Sequence, residues 1–354
     1  MFSKLHLSKN PFLIRLLNWE FWSFNSIYFW IMPIWFLLCL RARSFFFFST
    51  SNPGFENGGF TGESKKDIHS ILPIDLYPPT MHFRYGTSSE KVISELRESG
   101  FELPLIGKPD VGGRGRGIRF LYSEKDIVEY ARNCTLDYHI QSVIRWPNEV
   151  GIFYTRIPGE TKGKITGLVK KEFLSITGDG QQTLIELIKN DKRSIMYLTY
   201  ITQAHAGKLD MVIPCGERYV LSPYGNHARG SLFIDDTHLV DDELNQMMDK
   251  LAARIPDFHF GRVDIRYRDW ESLKKGLDCT LIEVNGAGSE PTHIYDPRHS
   301  LFHAWKVIIQ HWITLYKISK ANHERGHRYM SFREGINMLR KDREFSKKLN
   351  GLPI

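Results

Sequence analysis

Two short stretches constrain this chain more than any others: residues 260–266 (FGRVDIR) and 280–285 (TLIEVN). Each reads as an apolar strand with acids set inside it. Val263 and Ile265 alternate with Asp264, and Ile282 and Val284 alternate with Glu283 and Asn285. Side chains alternate faces along a strand, so Glu283 and Asn285 share one face. If the two strands pair as a hairpin, Asp264 joins them there. Two carboxylates and an amide oxygen make a hard-oxygen donor set, suited to Mg²⁺ held jointly with phosphate groups. The competing reading is a sheet whose polar face is simply solvated.

A second signal lies upstream. Residues 101–110 read as a strand delivering Lys108, and residues 111–117 (VGGRGRG) follow as a loop. Gly112, Gly113, Gly115 and Gly117 let the backbone wrap closely round an anion and present amide donors to it. Lys108, Arg114 and Arg116 add positive charge. A strand over 118–122 comes next. The loop lacks GxxxxGK[ST] and departs from GxGxxG, which excludes a Walker A loop and argues against a dinucleotide fold.

The net charge of +7 suits an anionic ligand or an anionic membrane surface. No nucleic-acid-binding motif accompanies it, so no nucleic-acid partner is expected. Cys39, Cys134, Cys215 and Cys279 are scattered without a CxxC pair, which fits a reducing compartment. Residues 21–40 carry no charge, are rich in tryptophan, and are closed by Arg41 and Arg43; Lys4, Lys9 and Arg15 precede them. About twenty helical residues match a hydrocarbon core of about 30 Å. Ser23, Asn25, Ser26 and Pro33 interrupt a simple span. The expectation is a membrane anchor or an in-plane helix pair over residues 1–43, with the rest on the cytoplasmic face; the rival is a buried apolar hairpin.

Between these landmarks the pattern alternates strand and helix. Residues 44–49 form a continuous apolar run and read as a buried strand. Residues 57–65 form a polar, glycine-bearing loop before a helix from Lys65. Helices are expected at 87–99, at 123–133 with Ser123 as N-cap, at 183–190 and at 241–254. Strands are expected at 139–144, 149–156, 165–177 and 231–234. A long aromatic helix follows over 301–318, then a basic tail. His299 and His303 share a helix face, but without HExxH or a third nearby ligand they read as structural or substrate-facing.

With these residues in view, residues 80–300 resemble the ATP-grasp carboxylate–amine ligases, among them the D-alanine–D-alanine ligases and the cyanophycin synthetase-like enzymes. The resemblance rests on Lys108-Pro before the glycine loop, on GDG-x-x-T at 178–183, and on residues 261–264 with 283–285. It implies an α/β (α+β) ATP-grasp fold. The expected units are a hydrophobic segment (1–43), a shortened N-terminal α/β domain (44–100), a central subdomain (101–180), a C-terminal subdomain (181–318) and a basic tail (319–354).

By the same resemblance, ATP meets Lys108 and the loop from Gly112 to Gly117, including Arg114. Gln141, Ser142, Val143 and Ile144 line the adenine, and Glu149 meets the ribose. Asp264, Glu283 and Asn285 ligate Mg²⁺, with Mn²⁺ able to substitute. Lys171 serves the γ-phosphate, and Arg229 stabilises an acyl phosphate. The second phosphate lysine has Lys65 or Arg84 as stand-ins. The substrates implied are a small carboxylate and an amine, and a homodimer is one arrangement the resemblance allows. An ATP-grasp kinase, or a nucleotide-binding membrane protein without turnover, would use the same motifs. After Asn285 the family continues toward Pro-Gly, whereas this chain reads GAGSEPTHIYD, so D-alanine does not follow as substrate.

Overall fold

The computed structural model describes residues 10–113 and 115–352; Lys4, Lys9 and Arg114 lie outside them. In chain order the strands are β1 (Thr80–Phe83), β2 (Leu105–Pro109), β3 (Arg119–Leu121), β4 (Tyr138–Ser142), β5 (Asn148–Thr155), β6 (Lys164–Glu172), β7 (Ser175–Thr177), β8 (Arg218–Val220), β9 (Leu232–Asp235), β10 (Phe260–Tyr267) and β11 (Cys279–Asn285). They form a mixed α/β molecule in which the strands pair antiparallel. One sheet has the order β1-β4-β2-β3, a second β11-β10-β5-β6-β9, and β7 pairs with β8.

The first sheet is amphipathic by strand alternation. Leu105, Leu121, Tyr138 and Ile140 point to a buried core with Val92, Leu96, Ile127 and Tyr130 from helices Ser89–Glu98 and Glu124–Asn133. Ser123 and Asp126 close the second of these helices with a reciprocal capping box. Gly107 is required here, since a Cβ would stand 2.8 Å from the Tyr130 ring. The opposite face carries Lys108, His139 and Gln141.

In the second sheet, Val150, Ile152, Val263 and Ile265 pack against Leu244, Met247, Met248 and Leu251 of helix Asp242–Ala253. Burying such a side chain contributes about 1.5–3 kcal/mol. The other face is divided. Phe153 and Phe260 lie under helix Leu301–Glu324, whose His311 ring meets Phe153 edge-on at 4.4 Å. The remainder is charged and faces a cavity. The segment between β4 and β5 joins the two sheets.

The N-terminal apolar stretch is folded onto this body. Helices Pro11–Leu17, Phe24–Tyr28 and Met32–Ala42 are separated by short 3₁₀ turns. Ile27, Ile31 and Leu38 are buried. Trp35 packs edge-on against Trp312 at 5.1 Å, and the Trp305 indole donates to the Ile27 carbonyl at 2.8 Å. By length and composition, Phe24–Ala42 is long and apolar enough to cross a membrane, with 28% of that window buried in the protein.

Two expectations need correction. Residues 44–49 do not form a strand: Phe47–Thr50 is a 3₁₀ helix, with Phe46, Phe47 and Phe48 in a core shared with Leu315 and Ile318. The wall they face is a helix, which has no free backbone groups for a strand to pair with. Nor do residues 44–100 gather round a sheet of their own. β1 pairs with β4, and helix Ser89–Glu98 packs on the first sheet, so a boundary at 100 falls inside that unit. Beyond residue 318 the chain stays helical: Leu301–Glu324 runs on, and Phe332–Asn350 is a second helix.

Candidate active site

Register alone assembles the charged face of the second sheet. β10 and β11 are neighbours, with Asp264 opposite Glu283 and Arg262 opposite Asn285. The hairpin expected from sequence is therefore present, and Arg262, Asp264, Glu283 and Asn285 form a two-by-two block. β5 lies on the other side of β10, placing Glu149 opposite Arg266 and Gly151 opposite Asp264. A Cβ on Gly151 would come 2.9 Å from the Asp264 carboxylate, so glycine leaves room for the acid to lie across the sheet. Lys171 arrives from β6, two residues beyond Val169, the partner of Gly151.

These groups are tightly paired. The Lys171 ammonium donates to Glu149 Oε1 at 3.0 Å and lies 3.1 Å from Asp264 Oδ1. Arg262 donates to Asp264 Oδ1 at 3.0 Å and to Oδ2 at 3.2 Å. Arg266 reaches Glu149 Oε2 at 3.1 Å. Burial alone would raise the Asp264 pKa, but Arg262 and then Lys171 hold it below the ordinary value. Burial likewise disfavours the Lys171 ammonium, and Asp264 and Glu149 outweigh it, raising that pKa. Lys171 joins the two pairs, and without it Asp264 would keep Arg262 and Glu149 would keep Arg266.

From the first sheet, Lys108 is 5% exposed and donates to Gln141 Oε1 at 3.1 Å. Burial, then the neighbouring Lys65 charge, lowers its pKa to about 7, with Glu283 opposing. Lys65 opens helix Lys65–Ile71 and donates to the carbonyls of Asp110 and Gly112. It therefore lies with Lys108 at the cavity, and Arg84 is absent from the lining. The loop over Gly112, Gly113, Gly115 and Gly117 connects β2 and β3; Gly115 and Gly117 have φ of 71°. Ser142, Val143 and Ile144 line the cavity beside the crossover between sheets.

Arg229 is placed differently from its expected role. It donates to the Gly115 carbonyl at 2.7 Å and stacks over the Tyr224 ring at 4.5 Å, outside the cavity lining. It ties the loop at 224–230 to the glycine loop, whereas Arg262 is the guanidinium beside Asp264. Strand alternation contains the signal for Arg262, because it sits two residues before Asp264 on the same face.

Sequence reasoning also missed Glu63. Among the described residues its Oε1 is buried without a hydrogen-bond partner, and so is the Asn285 amide nitrogen. Burial, then the Glu283 charge, raises the Glu63 pKa to about 8. Loop 57–64 is held to the segment after β11 by backbone bonds from Ala287 to Gly58 at 3.0 Å and from Gly288 to Gly59 at 2.8 Å. Buried oxygens and amides of this kind call for a partner, whether water, ion or ligand. Asp264, Glu283 and Asn285 therefore suit a hard divalent cation by donor type and placement, with Glu63 close by.

Glu20 was hidden in the apolar segment. It is 8% exposed and accepts from Arg193 and His227, each at 3.0 Å. Elsewhere, His299 and His303 stack at 3.9 Å, and Asp235 supplies the third group that the sequence did not reveal, 2.7 Å from His299.

The cavity between the sheets encloses about 1300 Å³. Its polar wall can hold a polyanion against Lys65, Lys108 and Lys171 while Asp264 and Glu283 face the same space. No family model matches the chain, and no curated protein does. Among solved structures it is similar to a bifunctional glutathione synthetase from Pasteurella multocida (17% identity, TM-score 0.38, covering 70% of this chain and 36% of that one). It is also similar to a D-alanine–D-alanine ligase from Bacillus anthracis (14%, 0.42, covering 74% and 69%) and to an ATP-grasp ligase solved with its minimal precursor (11%, 0.36, covering 71% and 59%). The chain spans little more than a third of the synthetase's length. Likenesses this distant carry no weight for the function.

Proposed function

We propose that the protein is an ATP-dependent carboxylate–amine ligase that works through an acyl phosphate at a membrane surface. The observation that carries this reading is the block Arg262, Asp264, Glu283 and Asn285, with Lys108 of the other sheet near enough to feel the Glu283 charge. It is a site for phosphate charge and hard cations, in the arrangement that the sequence resemblance leads one to expect.

In this reading the nucleotide lies between the sheets. Lys108 and Lys65 bind phosphate oxygens under the glycine loop, and the 142–144 crossover borders the base. Asp264, Glu283 and Asn285 would hold Mg²⁺, which offsets phosphate charge when bound. Lys171 orients both Asp264 and Glu149. Arg262 neutralises charge on the carboxylate as it takes the γ-phosphoryl group and again as the amine attacks. Donors fixed by pairing before the reaction need no reorganisation during it. The partly apolar walls of the cavity limit the access of water to the acyl phosphate.

The membrane part rests on exposed apolar side chains. Leu17 (78% exposed), Phe29 (69%) and Trp30 (67%) stand in solvent with Phe12, Phe36 and Leu40. Phe332, Ile336 and Leu339 continue the exposed set on one face of helix Phe332–Asn350, where Phe45 meets Phe332 at 6.0 Å. Arg15, Arg41 and Arg43 flank them. Apolar surface edged by arginine suits the interface of an anionic bilayer, with the helices lying in its plane.

The test is to incubate the full chain in lipid with MgATP, hydroxylamine and a metabolite extract, and to search for hydroxamates by mass spectrometry. A hydroxamate that falls on the order of 100-fold in Asp264→Ala supports the ligase. ADP release with a phosphate ester and no hydroxamate would replace it with a kinase.

A further inference from the structure

The cavity has room for several ligands, as the ligase reading requires. Single-ligand pockets run about 300–1,000 Å³, and this one encloses about 1300 Å³. Its walls also change character. Away from the phosphate end, Phe21, Trp22 and Phe24 of the N-terminal segment face Tyr197, Phe233 and Tyr295. His227 joins the two sides, 6.1 Å from Phe21, 5.5 Å from Phe233 and stacked on Tyr295 at 5.1 Å. Such aromatic faces favour apolar partners.

This aromatic compartment is wired to the reacting centre. The Tyr28 hydroxyl donates to Glu290 Oε1 at 2.7 Å, and Arg262 donates to the Glu290 carbonyl at 3.2 Å while pairing with Asp264. It also reaches the outside. Phe24 lines the cavity yet is 46% exposed, and Arg15 lies in the lining near the exposed Leu16 and Leu17. The buried Glu20, held by Arg193 and His227, pins the turn Trp19–Phe21 in place as a wall.

We infer that this compartment binds the apolar tail of an amphiphilic, bilayer-borne substrate whose polar head is presented to Arg262. The inference rests on the ligase reading for the head's chemistry, and on the aromatic wall and its exposed mouth for the tail. The tail enters between Trp22 and Phe24 from the apolar face, and Arg15 meets headgroup charge at the entrance.

The experiment uses the full chain on phosphatidylcholine–phosphatidylglycerol vesicles containing palmitic acid with a mid-chain diazirine. After irradiation, adducts are mapped by mass spectrometry with and without unlabelled palmitate. The expected result is adducts at Phe21, Trp22 or Tyr295 that unlabelled palmitate competes away, beside uncompeted adducts at Phe29 and Trp30. Trp22→Gln lowers the cavity adducts about tenfold and leaves the surface ones. Adducts confined to the exposed face, or cavity adducts that resist competition, overturn the inference without any variant needing to fold. MgATP binding by the same sample is measured separately. Binding without cavity adducts overturns this inference alone; saturable cavity adducts in a protein that ignores MgATP retain the tail site and overturn the ligase.

Discussion

Lys108 shows how one buried charge lowers stability. Its pKa of about 7 lies below the ordinary lysine value, so the unfolded chain holds the proton more tightly than the folded one. Folding therefore carries a penalty that is full below pH 7 and fades as pH rises through the ordinary lysine range. Lys108→Met should stabilise the nucleotide-free protein at pH 7 by about 4 kcal/mol while abolishing MgATP binding. Thermal melts at pH 7 and pH 10 check it: the gap between variant and wild type should narrow at the higher pH. At this scale much was legible in the sequence. Strand alternation puts Asp264, Glu283 and Asn285 on one face, and their register in the structure agrees. Glu63 and Glu20 were not legible. Glu63 stands out through a buried oxygen that no described residue satisfies, and Glu20 through two partners, Arg193 and His227, far along the chain.

At the scale of elements, close backbone approach decides where the loop at 57–64 sits. A Cβ on Gly288 would stand 1.8 Å from the Phe60 carbonyl oxygen, a backbone atom that cannot rotate away. Gly288→Ala should cost about 2 kcal/mol or more and shift Glu63 away from Glu283. Urea melts report the first effect, and loss of hydroxamate formation beyond the loss of fold reports the second. Helices with caps and strands with alternation were readable in advance, as Ser123 with Asp126 and β10 with β11 show. The run at 44–49 was not, because an unbroken apolar stretch records burial without recording its neighbour. The neighbours of these phenylalanines, the helix Leu301–Glu324 and Phe332 among them, are distant in sequence.

At the scale of the whole molecule, the N-terminal segment belongs to the body and to its surface at once. Buried Ile27, Ile31 and Leu38 tie it to the core, and Trp30 and Phe36 face outward. Replacing Trp30, Phe36 and Leu40 together with glutamate should leave the melting temperature within a few degrees, since surface changes cost about 0.5 kcal/mol or less each. Sedimentation with anionic vesicles should fall on the order of 100-fold. A cavity whose mouth opens at that apolar edge has a kinetic consequence. Were its substrate the bilayer-borne amphiphile inferred above, it would be met in two dimensions, and the concentration that governs turnover would be a mole fraction in the bilayer rather than an amount per litre. Adding inert phosphatidylcholine at constant total substrate should slow the enzyme by dilution within the surface, while diluting vesicles and bound protein together with buffer should leave the rate per enzyme unchanged.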